Sequence, residues 1–500
     1  MSIEELDGVL LAGAAVLLAA ILAVRLSVRA GLPSLLVYLG IGILLGDSVL
    51  GIEFSDAELA HLLGFAALML ILAEGGLTTR WVDIRPAMGA GLLLATLGVA
   101  ASVVLVAVPV HYLLGLDWRI AVLLGAVASA TDAAAVFSVL RSVPLRASVR
   151  GTLEAESGLN DAPIVILVSL ISTDAIGDHS PLVLVAIILG ELTLGAVVGI
   201  VVGGGGAWVM ARAALPSAGL YPLAVLAFSV LAYGGAQVLH GSGFVAVYLA
   251  ALVLGNAELP HRGATRSFAE GVGWLAQIGL FVMLGLLASP YRMEWWHVGF
   301  ALVTGVILTF VARPVVVALC TVWFGTSWRE QAFISWGGLR GAVPIVMTTI
   351  PLAEDVSGGE DLFDIVFVLV VVLVLVEGPT LPWVARRLGV SEEGEARDVD
   401  IEAAPLERVS ADLLEIRVPS RSRLHGVEVG ELRLPPGSSV SLVIRHGEPF
   451  VPELTTRIER GDALLVVTPR RMRAATERRL RAVSQGGRLA GWRARRGWRI

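Results

Sequence analysis

Apolar stretches about as long as a bilayer is thick recur from Val9 to about Leu388 and then stop. A helical crossing takes about 20 mostly apolar residues, because in lipid each backbone polar group has to be bonded within its own segment. The recurrence commits about four fifths of the chain to a helical membrane domain, and a charged fraction of 16% leaves little to clothe a soluble surface of that size. Glu4, Glu5 and Asp7 precede the first apolar run while Arg25 and Arg29 follow it, the reverse of a secretory signal peptide, so the first span is expected to be retained.

Thirteen spans are expected, centred on 8–25, 33–51, 59–77, 87–113, 118–140, 152–173, 181–211, 220–239, 243–257, 270–288, 295–323, 330–352 and 362–385. Arg residues then fall on alternate loops: Arg25 and Arg29, Arg80 and Arg85, Arg141, Arg146 and Arg150, Arg212, Arg262 and Arg266, Arg329, and Arg386 with Arg387. The opposite set holds only Arg119 and Arg292, beside acidic stretches such as Glu53 to Glu58 and Glu354 to Asp361. The positive-inside rule puts the N-terminus outside and everything after Arg387 in the cytoplasm. An odd number of spans requires the same. All 37 basic residues are Arg, and the single Cys, Cys320, lies in an apolar stretch, which excludes an intrachain disulfide and a Cys-based metal cluster.

Beyond the membrane domain, expected over residues 1–390, residues 391–405 are acidic and polar and are expected to be a linker. Short β-like runs follow at Leu413 to Val418, Val440 to Ile444 and Asp462 to Val467, separated by Gly and Pro turns, and indicate a small α+β domain over 406–469. The tail, 470–500, holds eleven Arg against one acidic residue, Glu477, and suits either solvent or anionic lipid on the cytoplasmic leaflet.

Ionisable residues inside a span are costly and mark function by default. The fifth span carries Thr131 and Asp132 within small apolar residues. In the sixth, Glu156 and Asn160 are four apart, as are Ser157 and Asp161, so the four side chains share one broad helical face, and Pro163 weakens the helix just after them. The twelfth reads Gly337-Gly-Leu-Arg-Gly-Ala-Val-Pro344, with Arg340 among helix breakers. Two or three carboxylates against one Arg leave surplus negative charge, which calls for a mobile cation or proton. Glu74 is either a packing partner or a vestibule residue, Glu154 and Glu191 sit near span ends, and Arg313 and Glu377 are expected to be structural.

Transporters commonly consist of inverted repeats, with interrupted spans at matching positions. With the seventh span as connector, the fifth pairs with the twelfth. Two broken helices crossing at mid-membrane would each need a counter-charge for their half-helix dipoles, and Asp132 and Arg340 could supply them. The expected fold is thus an all-α polytopic membrane domain of about thirteen helices with inverted repeats and crossed broken helices, plus a small cytoplasmic α+β domain.

At Thr131-Asp132, Glu156-Ser-Gly-Leu-Asn-Asp161, Gly338-Leu-Arg-Gly-Ala-Val-Pro344 and Glu74-Gly-Gly-Leu77 the chain resembles the NhaP-type monovalent cation:proton antiporters, over about residues 8–388. The resemblance implies cation ligation by Asp161, Ser157, Asp132 and the Thr131 carbonyl, a stabilising pair of Glu156 with Arg340, and Asn160 bracing the broken helix. It implies a homodimer in a bacterial inner membrane in which a core bundle moves like an elevator. Asn160 stands where electrogenic relatives carry a second Asp, and the chain lacks the Lys they use with it, which implies one-for-one exchange. Glu377 departs from the uncharged residue more usual before Gly-Pro-Thr. Leu414 to Pro419, Gly426 to Leu432, Val440 to Arg445, Pro452 and Gly461-Asp462 resemble a TrkA-C domain, which implies dimerisation and a small ligand such as cyclic di-AMP. The combination of the two domains tilts the cation towards potassium over sodium.

Two other classes compete. A regulated potassium channel would show Gly-rich filter loops, which are missing here. An enzyme is not expected, since Ser157 has no His in a neighbouring motif and no His-Glu-x-x-His signature occurs. No cofactor and no nucleic-acid partner are expected.

Overall fold

A computed structural model describes residues 3–30, 33–46, 50–52, 54, 56–132, 135–136, 145–173, 180–213, 215–288, 290–391, 400–406, 411–419 and 422–487. The chain divides into two compact units, Met1–Ser391 and Glu392–Ile500.

The first unit is helical throughout its described residues. Its elements are α1 (Ile3–Ala30), α2 (Ser34–Leu45), α3 (Ala57–Thr78), α4 (Trp81–Leu114), α5 (Trp118–Ser129), α6 (Ala147–Leu159) and α7 (Asp161–Ser172). They continue with α8 (Pro181–Arg212), α9 (Leu220–Val238), α10 (Gly243–Asn256), α11 (Arg262–Leu287), α12 (Trp295–Phe324), α13 (Trp328–Gly337), α14 (Ala342–Ala353) and α15 (Gly359–Leu388). Among the described residues, eight helical segments are long and apolar enough to cross a membrane: α3, α4, α6 with α7, α8, α9, α11, α12 and α15. The pair α13 and α14, bent by 52°, makes a ninth if it is one span, and shorter apolar helices lie at Leu10–Val24, α2, α5 and α10.

Contacts join loops of the same set. Among those with the Arg excess, Arg146 pairs with Glu330 at 3.5 Å, the Arg146 N–H donates to the Val390 carbonyl, and the Trp81 N–H donates to Asn256 Oδ1 at 2.9 Å. Arg266 reaches the Thr78 carbonyl. In the other set, Arg292 meets Glu360 at 3.4 Å and Arg119 donates to the Ile171 and Ser172 carbonyls. Each of these contacts joins two loops that the alternation of Arg assigns to the same side.

Close helix approach depends on small residues. At the crossing of α2 and α11 the backbones meet through Gly42 and Gly285, and a methyl on Gly285 would fall 2.8 Å from Gly42 Cα and 3.0 Å from Ile43 N. Backbone cannot rotate away as a side chain can. Gly285→Ala should destabilise the membrane domain by about 1–3 kcal/mol, read as a lower apparent midpoint of thermal unfolding in detergent; an unchanged midpoint would show that the helices slide apart freely.

The second unit holds β1 (Asp400–Leu406), β2 (Ala411–Arg417), β3 (Ser439–Arg445), β4 (Glu448–Phe450), β5 (Ala463–Pro469) and α16 (Arg473–Gly486). All neighbours in the sheet, ordered β1-β2-β5-β3-β4, are antiparallel. Leu414, Ile416, Leu464 and Val466 alternate inward along β2 and β5 and pack with Leu480 and Val483 of α16. Arg445 holds the end of β3 to the turn before β5 through two 2.9 Å bonds to the Asp462 carboxylate. Residues 400–405, expected to be linker, instead form most of β1, paired with β2. As an edge strand β1 tolerates Pro405, which has no N–H to give. Residues 392–399 of that linker, and the tail beyond Gly487, lie outside the described residues.

Candidate functional site

The sequence breaks two helices at one place. α5 stops at Ser129, leaving Ala130 to Asp132 non-helical, and Gly338 to Gly341 separate α13 from α14. The two unwound stretches bond to each other: the Asp132 N–H donates to the Leu339 carbonyl at 2.9 Å. Asp132 also accepts the Ala342 N–H on Oδ2 at 2.6 Å, so its carboxylate caps the N-terminus of α14, where unbonded N–H groups and the helix dipole favour negative charge. Arg340 does the converse. Its Nε donates to the Ala128 carbonyl at 3.3 Å in the last turn of α5, and Nη1 donates to the Gly338 carbonyl. Each broken helix thus receives its counter-charge from the other, as the dipole argument requires.

Against this crossing lies the junction of α6 and α7. Asn160, between the two helices, donates from Nδ2 to Thr131 Oγ1 at 2.6 Å, and Thr131 Oγ1 and Ser157 Oγ lie 3.0 Å apart. Asp161 opens α7 and interacts electrostatically with Asp132. Thr131, Asp132, Ser157, Asn160 and Asp161 are each at most 3% exposed, and Asp161 Oδ1 and Asn160 Oδ1 have no hydrogen-bond partner among the described residues. Buried acceptors are normally bonded, so these two oxygens are the candidates to accept a further group.

One expectation is overturned by the geometry. Glu156 does not pair with Arg340; its carboxylate is gripped by Arg313, Nη1 on Oε1 and Nη2 on Oε2 at 3.3 Å, and Arg313 also donates to the Ile334 carbonyl. Arg340 is held among backbone carbonyls of the crossing. Arg313 follows a π-helical turn of α12, Leu308–Ala312, and its guanidinium occupies the space a side chain on Gly338 would need. Arg313, expected to be structural, is thus the cation that neutralises Glu156 inside the membrane domain. Glu74 stands elsewhere, partly buried with Leu70, Leu226 and Phe268 in an apolar groove of α3, α9 and α11, where its side chain packs on Gly273. Tyr248 of α10, whose ring lies over Gly158, had no sequence signal.

Comparison with known proteins matches this architecture. Residues 14–387 match the family model described as sodium/hydrogen exchanger, transmembrane, and residues 413–481 match the TrkA-C domain. The chain is 34% identical over 476 residues to the K(+)/H(+) antiporter NhaP2 of Shewanella sp. (strain MR-4), covering 93% of this chain and 82% of that one. It is 34% identical over 459 residues to the K(+)/H(+) antiporter NhaP of Alkalimonas amylolytica, covering 90% and 79%. The structure of the sodium proton antiporter MjNhaP1 from Methanocaldococcus jannaschii superimposes with a TM-score of 0.65 at 21% identity, over 77% of this chain and 99% of that one. The chain belongs to the sodium/hydrogen exchanger family and is a membrane cation/proton antiporter with a C-terminal TrkA-C domain.

Proposed function

We propose that the antiporter exchanges K+ for H+ one for one across a bacterial inner membrane, with Asp161 as the group for which the two compete. The observation that carries this is the buried Oδ1 of Asp161, which has no hydrogen-bond partner among the described residues, in a side chain that interacts with Asp132 and follows Asn160, itself bonded to Thr131. An ionised carboxylate left bare in a low-dielectric interior is strongly unfavourable, so the site is stable only with a proton or a cation on it. Competition for one site, together with a barrier to crossing empty, gives coupled exchange. Hard oxygen ligands, the carboxylates of Asp161 and Asp132, the Ser157 hydroxyl and the Thr131 carbonyl, suit a dehydrated monovalent cation. Asn160 then acts as a neutral brace for the unwound stretch at Thr131, and Glu156 is neutralised by Arg313.

One-for-one stoichiometry follows from that charge pattern, because a single exchanging carboxylate swaps one positive charge for another. The names of the NhaP2 and NhaP relatives support K+ over Na+, whereas MjNhaP1 is a sodium antiporter of the same fold. We further assign thirteen crossings in two inverted repeats, an N-terminus outside and the TrkA-C domain inside, supported by the alternation of Arg between loops and by contacts that join Arg-bearing loops to one another. The working unit is a homodimer moving its core bundle against a fixed interface. The TrkA-C domain, expected to end at residue 469, also takes in β1 before it and α16 after it, whose Leu480 and Val483 pack into its core, and it binds a small regulator such as a cyclic dinucleotide.

The test uses everted vesicles holding the full chain and a pH-gradient dye. K+ should dissipate the gradient at lower concentration than Na+, with a rate unmoved by an imposed membrane potential. A sustained cation current at fixed voltage would instead make the chain a regulated K+ channel.

A further inference from the structure

Glu377 is a buried charge that exchange at Asp161 does not use. It lies on α15, is 1% exposed, and accepts a 3.3 Å hydrogen bond on Oε1 from Thr309, in the π-helical turn just before Arg313. Its other oxygen, Oε2, has no hydrogen-bond partner among the described residues. One turn on, Thr380 accepts a 3.0 Å bond from Trp336 Nε1, which ties this part of α15 to the end of α13, directly before the unwound stretch that carries Arg340. Arg340 in turn has one guanidinium nitrogen, Nη2, without a hydrogen-bond partner among the described residues, although the residue is 1% exposed. The charged groups that act on Glu377 are Arg340 first and Arg313 second.

The counting of charges gives this arrangement its meaning. Arg313 is already matched by the two oxygens of Glu156. Among the described residues, Arg340 is hydrogen-bonded to neutral carbonyls, those of Ala128 and Gly338. Left alone, it would set an uncompensated positive charge in the same crossing as Asp132, in a medium that screens poorly. Two buried carboxylates outside the cargo site act on it, Glu377 and Glu156, and Glu156 is already held by Arg313.

We infer that Glu377 is a positioning residue for exchange: it neutralises Arg340 through space, so that the framework of Glu156, Arg313, Arg340 and Glu377 carries no net charge and the affinity of the site is set by Asp132 and Asp161 alone. This deepens the exchange at Asp161 proposed above and rests on it. Glu377 acts on the cargo through Arg340, not by touching it.

The experiment measures cation-driven exchange in everted vesicles against K+ concentration at one fixed pH. Glu377→Gln releases the positive field of Arg340 on the site, and should raise the apparent KM for K+ on the order of tenfold while lowering the maximal rate by less than about twofold. Glu377→Asp keeps the charge and should hold KM within about threefold of wild type. A purely structural role for Glu377 predicts the opposite pattern, a lost rate at constant KM with no rescue by Glu377→Asp. That result, or an unshifted KM in Glu377→Gln, overturns the inference. Should Glu377→Gln fail to accumulate in the membrane, Glu377→Asp decides: accumulation with KM near wild type supports the charge role, and its failure overturns the inference. Absence of exchange in the wild type would sink the parent mechanism, whereas wild-type exchange with an unshifted Glu377→Gln sinks only the role of Glu377.

Discussion

Asp161→Asn should reduce cation-driven proton movement in everted vesicles to the background of vesicles lacking the protein, with the variant still present in the membrane at wild-type level. The substitution keeps the shape and removes the one property the site depends on. A carboxylate can trade a proton for a cation because both neutralise it. A carboxamide binds neither with comparable strength. Because Asp161 Oδ1 makes no hydrogen bond among the described residues, the fold loses little when its charge goes, so the effect is on transport and not on assembly. Exchange that persists in Asp161→Asn at even a tenth of the wild-type rate would move the carrier role to Asp132 and end the competition mechanism in the form proposed.

Much of the site was legible because membrane burial makes polar residues conspicuous. Thr131, Asp132, Ser157, Asn160 and Asp161 all stand out in apolar runs, and the structure brings them together around the contact of Thr131 with Ser157 and Asn160. The break in the twelfth span could be read from Gly337, Gly338 and Gly341. The break in the fifth could not be read locally. Ala130 to Asp132 contain no Gly or Pro, and α5 ends there because Asp132 is recruited by Leu339 and Ala342 on another helix. Symmetry between the halves was the only sequence argument for it. The π-helical turns at Leu94–Gly98 and Leu308–Ala312 likewise left no signal, since a single extra residue in a helical turn changes no hydrophobic pattern.

The second domain shows the same division. Asp462 to Val467 alternates as a half-buried strand does, Val440 to Ile444 is an apolar run around the buried Val443, and both fall within two residues of β5 and β3. β1 was missed because Asp400, Glu402 and Pro405 read as linker, and an edge strand can hold such residues while its backbone pairs on one side only. Pairing between distant charges was the hardest to read. With Arg313 and Arg340 each alone in its span, nothing in the order of residues says which one faces Glu156.

That choice has a measurable consequence. Arg313→Met leaves the Glu156 carboxylate buried at 2% exposure with its charged partner gone, and should destabilise the membrane domain by about 3–5 kcal/mol, the usual result of stripping one member from a buried ion pair. Removing both charges in Glu156→Met with Arg313→Met should recover most of that loss, because two apolar side chains need no compensation. Arg340→Met behaves differently: it removes bonds to the Ala128 and Gly338 carbonyls and orphans no charge on α6, so Glu156→Met should not rescue it. The apparent unfolding midpoints of these variants in detergent decide the matter. Rescue of Arg340→Met by Glu156→Met, with none for Arg313→Met, would restore the pairing expected from sequence. The reverse pattern would leave Arg340 free of Glu156, available to the broken helices and to Glu377, as the geometry of the crossing has it.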